Sequence, residues 1–131
     1  MSNRLSLSLK ILALYFWSFT PTFILSLLPQ RNTSLGEIFI RDAQVAGYQF
    51  ELLFALIFLV WGVYLWKAAE KPTKQKFFID FTIWASIVHL AWMILMAILQ
   101  PADLVHLLRD ATILAVLLGL VIYYKTKAFS V

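Results

Sequence analysis

Glu51, Asp80, His89 and Asp110 each stand inside, or at the edge of, an apolar run long enough to cross a bilayer. That combination leaves few folds open. In hydrocarbon every backbone N–H and C=O must be bonded internally, so only helices and closed barrels can span. These runs are continuous over ~20 residues, the length of a membrane helix. An ionisable group in such a helix costs a few kcal/mol on insertion scales, so it turns to the interior and finds a partner there. The chain therefore reads as a polytopic helical membrane protein with a polar interior.

Composition supports this. Of 131 residues, 62% are hydrophobic and only 14% charged, and the mean hydropathy is +0.82. A soluble domain of this size would carry far more polar surface. Four spans of ~20 residues use ~80 residues, leaving connectors but no separate domain. Without cysteine there is no disulfide, iron–sulfur ligation or thiol chemistry. The net charge of +4 forms neither a basic recognition helix nor a stacking platform, so no nucleic-acid partner is expected.

The expected architecture is all-α: one integral-membrane four-helix bundle over residues 1–131, with spans at about 9–28, 48–66, 77–99 and 102–124. Arg4 and Lys10 could open a signal peptide, but the apolar run from Ile11 continues to Leu28 without a small-x-small cleavage site. A retained span is expected. Pro21 lies in it among Ser18, Thr20 and Thr22, where a kink is expected and hydroxyls can re-satisfy the freed carbonyl. After Pro29, Ser34-Leu35-Gly36-Glu37 has capping-box spacing. Leu35, Ile38, Phe39 and Val45 then share one side of a short interfacial helix, ended by Gly47. Lys67 to Lys76 forms a basic turn containing Pro72, and Gln100-Pro101 a tight corner. Eight basic residues (Arg4, Lys10, Lys67, Lys71, Lys74, Lys76, Lys125, Lys127) fall on one side against three (Arg31, Arg41, Arg109) on the other. Both termini are therefore expected in the cytoplasm, in a bacterial inner membrane.

Helical geometry groups the polar residues. Thr82, Ser86, His89, Met93 and Met96 fall within a stripe of about 80° at 100° per residue. Asp80 points the other way; in the first turn, near Lys76, it suits an interfacial ion pair better than chemistry. Asp103, His106 and Asp110 share a stripe of about 60° if their helix is regular. Glu51 shares a face with Ala55 and Gly62, small residues that admit a close neighbour. With the corner at Gln100-Pro101, His89 stands level with residue 112, ~3 Å along the axis from Asp110. The expected pairings are His89 with Asp110, and Glu51 with His106 or Arg109, in the outer half of the bundle.

Three chemistries suit Glu51, Ser86, His89, His106 and Asp110 beside a purely structural network. A carboxylate–imidazole pair can relay protons. Glu51, His89, His106 and Asp110, with Met93, could ligate a transition metal such as Zn, Fe or Mn, and His89, Met93 and Met96 could hold Cu(I). Haem is not indicated, because His89 and His106 are separated by ~10 Å in depth. Nor is a nucleotide: no phosphate loop or dinucleotide fingerprint occurs.

Tyr48-x-x-Glu51, Gly62-x-x-x-x-Lys67-Ala68-Ala69-x-x-Pro72, Phe78-Ile79-Asp80-Phe81-Thr82-Ile83-Trp84-x-Ser86-x-Val88-His89-x-x-x-Met93 and His106-Leu107-Leu108-x-Asp110 resemble the BphX-like family of small, four-span, uncharacterised bacterial membrane proteins. The resemblance covers about the last two-thirds of the chain. It implies a fold and marks Glu51, Asp80, His89, Met93, His106 and Asp110, without bringing an activity. Where that pattern has glycine before the last aspartate, this chain has Arg109, whose charge opposes a metal beside it.

The expected function is an accessory subunit or ligand-binding membrane module, in contact with lipid and with other membrane proteins or further copies of itself. A membrane enzyme using the cluster is the alternative, and an oligomeric proton-coupled transporter the third reading. Enzymatic activity is left open, since no complete catalytic motif is present.

Overall fold

A computed structural model describes residues 2–26, 45–99, 104 and 107–130. Among them lie four α-helices: α1 (Ser2–Ser26), α2 (Val45–Glu70), α3 (Lys76–Leu99) and α4 (Thr112–Phe129). A 3₁₀ turn, Pro72–Gln75, precedes α3, and a π turn, Leu107–Ala111, leads into α4. The described residues contain no strand. The proposed interfacial helix and the Gln100-Pro101 corner fall outside them.

Three of the helical segments, Leu53–Glu70, Pro72–Leu99 and Arg109–Phe129, are long and apolar enough to cross a membrane. Only 28%, 28% and 17% of them is buried within the chain. Trp84 and Val88 are each 67% exposed and Ile98 72%. Apolar surface on this scale is not tolerated in water and calls for lipid or a partner, which is consistent with a membrane protein.

Helix boundaries run past the apolar windows. α2 continues from Trp66 through Lys67-Ala68-Ala69-Glu70, all good helix formers. It stops where Pro72 forces its predecessor out of helical geometry: Lys71 sits at φ −137°, ψ 68°. Lys76 returns to helical angles and α3 begins. Gly47 does not end an interfacial helix as expected; it lies within the first turn of α2. A glycine costs only about 1 kcal/mol in a helix, and a long run of neighbouring backbone hydrogen bonds outweighs that.

The chain divides into two compact units. The first comprises residues 1–12 and 65–131. Leu5, Leu9 and Leu12 are buried in it at i, i+4, i+7 spacing, with Leu65, Ala68, Ala69, Ile79, Leu114, Leu118 and Val121. α3 and α4 pack on each other and run antiparallel: Asp80 pairs with Lys125, while Lys76 Nζ stands 5.8 Å from the Phe129 ring centroid. Both contacts lie four residues, about 6 Å along the axis, from the levels that a corner at Gln100-Pro101 predicts. The ion partner of Asp80 is thus Lys125 across the hairpin, a structural role as anticipated but with a lysine other than Lys76.

The second unit is residues 13–64, where α1 and α2 meet antiparallel through aromatic rings. Phe16 packs on Phe58 and Trp61 at 5.1 and 5.7 Å between centroids, and Phe19 on Phe58 at 5.4 Å. The indole of Trp17 donates from Nε1 to the carbonyl of Leu59 at 3.1 Å. A Cβ on Gly62 would collide with the Trp17 ring and lie 3.1 Å from the carbonyl oxygen of Ala13, so glycine is what lets the indole lie against α2. Ala55 is also buried, in keeping with the small-residue face. Two hydroxyls near Pro21 are described. Ser18 Oγ donates to Tyr15 O at 2.6 Å, and buried Thr20 Oγ1 has no hydrogen-bond partner.

Gly62→Val should destabilise this unit by about 1–3 kcal/mol, the usual cost of overpacking. Removing the ring it strikes, in Trp17→Ala, should abolish most of that penalty. A double-mutant cycle by reversible unfolding in mixed micelles checks this, and an unchanged penalty without Trp17 would refute the account.

Candidate functional site

The site builds from α3 outward. Thr82 is fully buried, Ser86 is 3% exposed and Met93 8%; His89 and Met96 are half-buried. The stripe read from the sequence is therefore the inward side of α3. Two hydroxyls occupy it among aliphatic neighbours, while Trp84, Val88 and Trp92 stay outside. A hydroxyl placed this way must be hydrogen-bonded or lose free energy, so the stripe is a place for polar contacts.

Asp110 lies in the π turn, which packs on α3 as well as on α4. Its carboxylate is forked by Arg109: Nε to Oδ1 at 2.8 Å and Nη2 to Oδ2 at 3.2 Å. Charge-assisted bidentate pairs of this kind are among the stronger polar contacts. The Asp110 side chain is 13% exposed and that of Arg109 35%, so the acid is inside and the guanidinium reaches it from the rim. Sequence reading offered His106 or Arg109 to Glu51, whose side chain lies outside the described residues; the structure brings Arg109 to its own neighbour. The signal was adjacency, which regular α geometry would discount because consecutive side chains diverge by 100°. The π turn changes that geometry. Of the expected stripe of Asp103, His106 and Asp110, the structure describes Asp110, within the π turn; Asp103 and His106 lie outside the described residues.

The remaining nominated residues divide as follows. His89, Ser86, Met93 and Asp110 stand on packed elements of the first unit. Glu51 belongs to α2 in the second unit; its side chain, and His106 as a whole, lie outside the described residues. Among the described residues no three His, Cys, Asp or Glu side chains come together as a metal cage. Arg109 bears on this directly. Its charge beside Asp110 opposes a cation, and its fork engages both carboxylate oxygens, so Asp110 fits an ion pair better than a metal. What the arrangement can do is accept and donate hydrogen bonds, through the Ser86 hydroxyl, the His89 imidazole and the Asp110–Arg109 pair.

An all-helical chain with three segments fit to span a membrane, and a polar stripe turned inward, defines a small membrane-type helical protein. A family model, described as a family of unknown function (DUF6632), matches residues 37–129. The chain belongs to that family. The BphX-like resemblance implied an uncharacterised family; the match does not confirm that name, and is consistent with an uncharacterised family. No curated protein and no solved structure matches the chain.

Arg109→Met should cost about 2 kcal/mol by leaving the inward carboxylate without its charged donors. Arg109→Met with Asp110→Leu should recover most of this, because no unpaired charge is left. Equal losses in both variants, measured by unfolding in micelles, would show that the pair contributes nothing to stability.

Proposed function

We propose that this chain is a four-span protein of the bacterial inner membrane, with both termini in the cytoplasm, acting as an accessory subunit or ligand-binding module. Ser86, His89, His106 and Asp110 form its polar site in the outer half of the membrane, with His89 and Asp110 in hydrogen-bond range or sharing one water. The observation that carries this reading is the pair of buried hydroxyls, Thr82 and Ser86, on a helix whose large rings face outward. Buried polar groups of this kind are held for recognition or helix register. Arg109 on Asp110 favours a polar or anionic ligand over a cation. Placing α1 as the first span, and the termini inside, rests on the eight-to-three basic bias.

Reporter fusions at the N-terminus, near residue 73 and at the C-terminus should all signal cytoplasm; one clear external signal overturns the topology.

His89→Gln tests the site. An amide still bridges helices, so stability should fall by only about 1–2 kcal/mol and a co-purifying partner should remain. Stoichiometric metal in the wild type, lost in His89→Gln, would replace this reading with a metalloenzyme. Proton-coupled flux in proteoliposomes, lost in the same variant, would replace it with a transporter. Glu51→Gln, measured alongside, reports whether that acid shares the function.

A further inference from the structure

The connector between α2 and α3 is not used by the polar site, and its make-up is one-sided. Lys71, Thr73, Lys74, Gln75 and Lys76 are all exposed, and the one buried residue is Pro72. Every exposed side chain from 71 to 76 can donate hydrogen bonds and none is acidic. Glu70 alone, also exposed, sits at the edge against Lys67, Lys71, Lys74 and Lys76.

The turn is also shaped. Lys74 N–H donates to Lys71 C=O at 3.1 Å, closing a turn that holds residues 71 and 74 within about 7 Å at Cα. Pro72 fixes the backbone between them and anchors it inside. Lys76 is occupied over the Phe129 ring, and Lys125 by Asp80. Lys71 and Lys74, by contrast, form no ion pair among the described residues. Two cations and two neutral donors on one short turn suit the oxygens of a phosphate. Immediately beyond them the surface becomes apolar: Phe77 is 86% exposed and Phe81, one turn further along α3, is 52% exposed.

From this juxtaposition we propose that the Lys71–Gln75 turn is a recognition site for the phosphate of an anionic phospholipid, whose acyl chain runs along Phe77 and Phe81. Charge complementarity selects the headgroup, and the adjoining aromatic surface selects a lipid over a soluble anion. Juxtamembrane lysines contribute to such binding roughly fivefold each. The proposal rests on membrane placement, not on the polar site of α3.

The test uses the full chain in nanodiscs, with spin-labelled phosphatidylglycerol and spin-labelled phosphatidylcholine as probes. The wild type should hold the anionic lipid several-fold more strongly than the zwitterionic one. Lys71→Gln with Lys74→Gln should lower that preference by up to about fivefold per lysine, with helix content unchanged by circular dichroism. Lys127→Gln, outside the turn, should keep it. Equal association of both lipids with the inserted wild type overturns the site, as does undiminished preference in the double variant. A matching loss in Lys127→Gln would assign the preference to diffuse charge, and its loss on adding inorganic phosphate would assign it to a soluble anion; either overturns the proposal. A chain that stays out of the disc overturns the membrane reading itself.

Discussion

A helix that leaves about three-quarters of its apolar length uncovered by its own chain is stable only where water is replaced by something apolar. The rest of this protein follows from that constraint. Where no water satisfies them, backbone groups stay in long helical ladders, and α2 carries Gly47 and Gly62 without interruption. With no hydrophobic drive between helices in lipid, association depends on close packing and on the few polar groups available. The described contacts are of those two kinds.

Packing dominates residues 13–64. Gly62 removes one side chain from α2, and the indole of Trp17 fills the space while reaching the Leu59 carbonyl. The hydrogen bond orients the ring, and Phe16 and Phe19 both meet Phe58 in the same unit. A tryptophan suits this because it combines a large apolar area with one donor.

Polar contacts mark the ends of the α3–α4 pair. Asp80 with Lys125 and Lys76 over Phe129 lie where the helices start and finish, and Arg109 with Asp110 lies at the other end. Long basic side chains reach such positions by laying their stems along apolar surface. Between these ends the hydroxyls of Thr82 and Ser86 are buried polar groups of α3.

Much of this was legible in the residue order because bilayer physics is written in composition and period. Apolar runs of sufficient length marked the helices, although α2 runs past the expected end at Trp66 to Glu70, and 100° spacing picked out the buried stripe from Thr82 to Met93. Small residues at Ala55 and Gly62 announced a close approach. Their occupant was not legible: nothing in the spacing ties Gly62 to Trp17, forty-five positions away, because a notch specifies a size and not a partner. Asp80 needed a lysine, but two lay within reach, and only helix pairing chose Lys125. The π turn was also hidden, since its local geometry is set by how the segment packs and not by any period. Within it the carboxylate of Asp110 is held by its immediate neighbour, Arg109. Periodicity assigns a residue to a side of its own helix; which residue meets it there depends on rotations and small departures from ideal geometry that arise only when the helices pack.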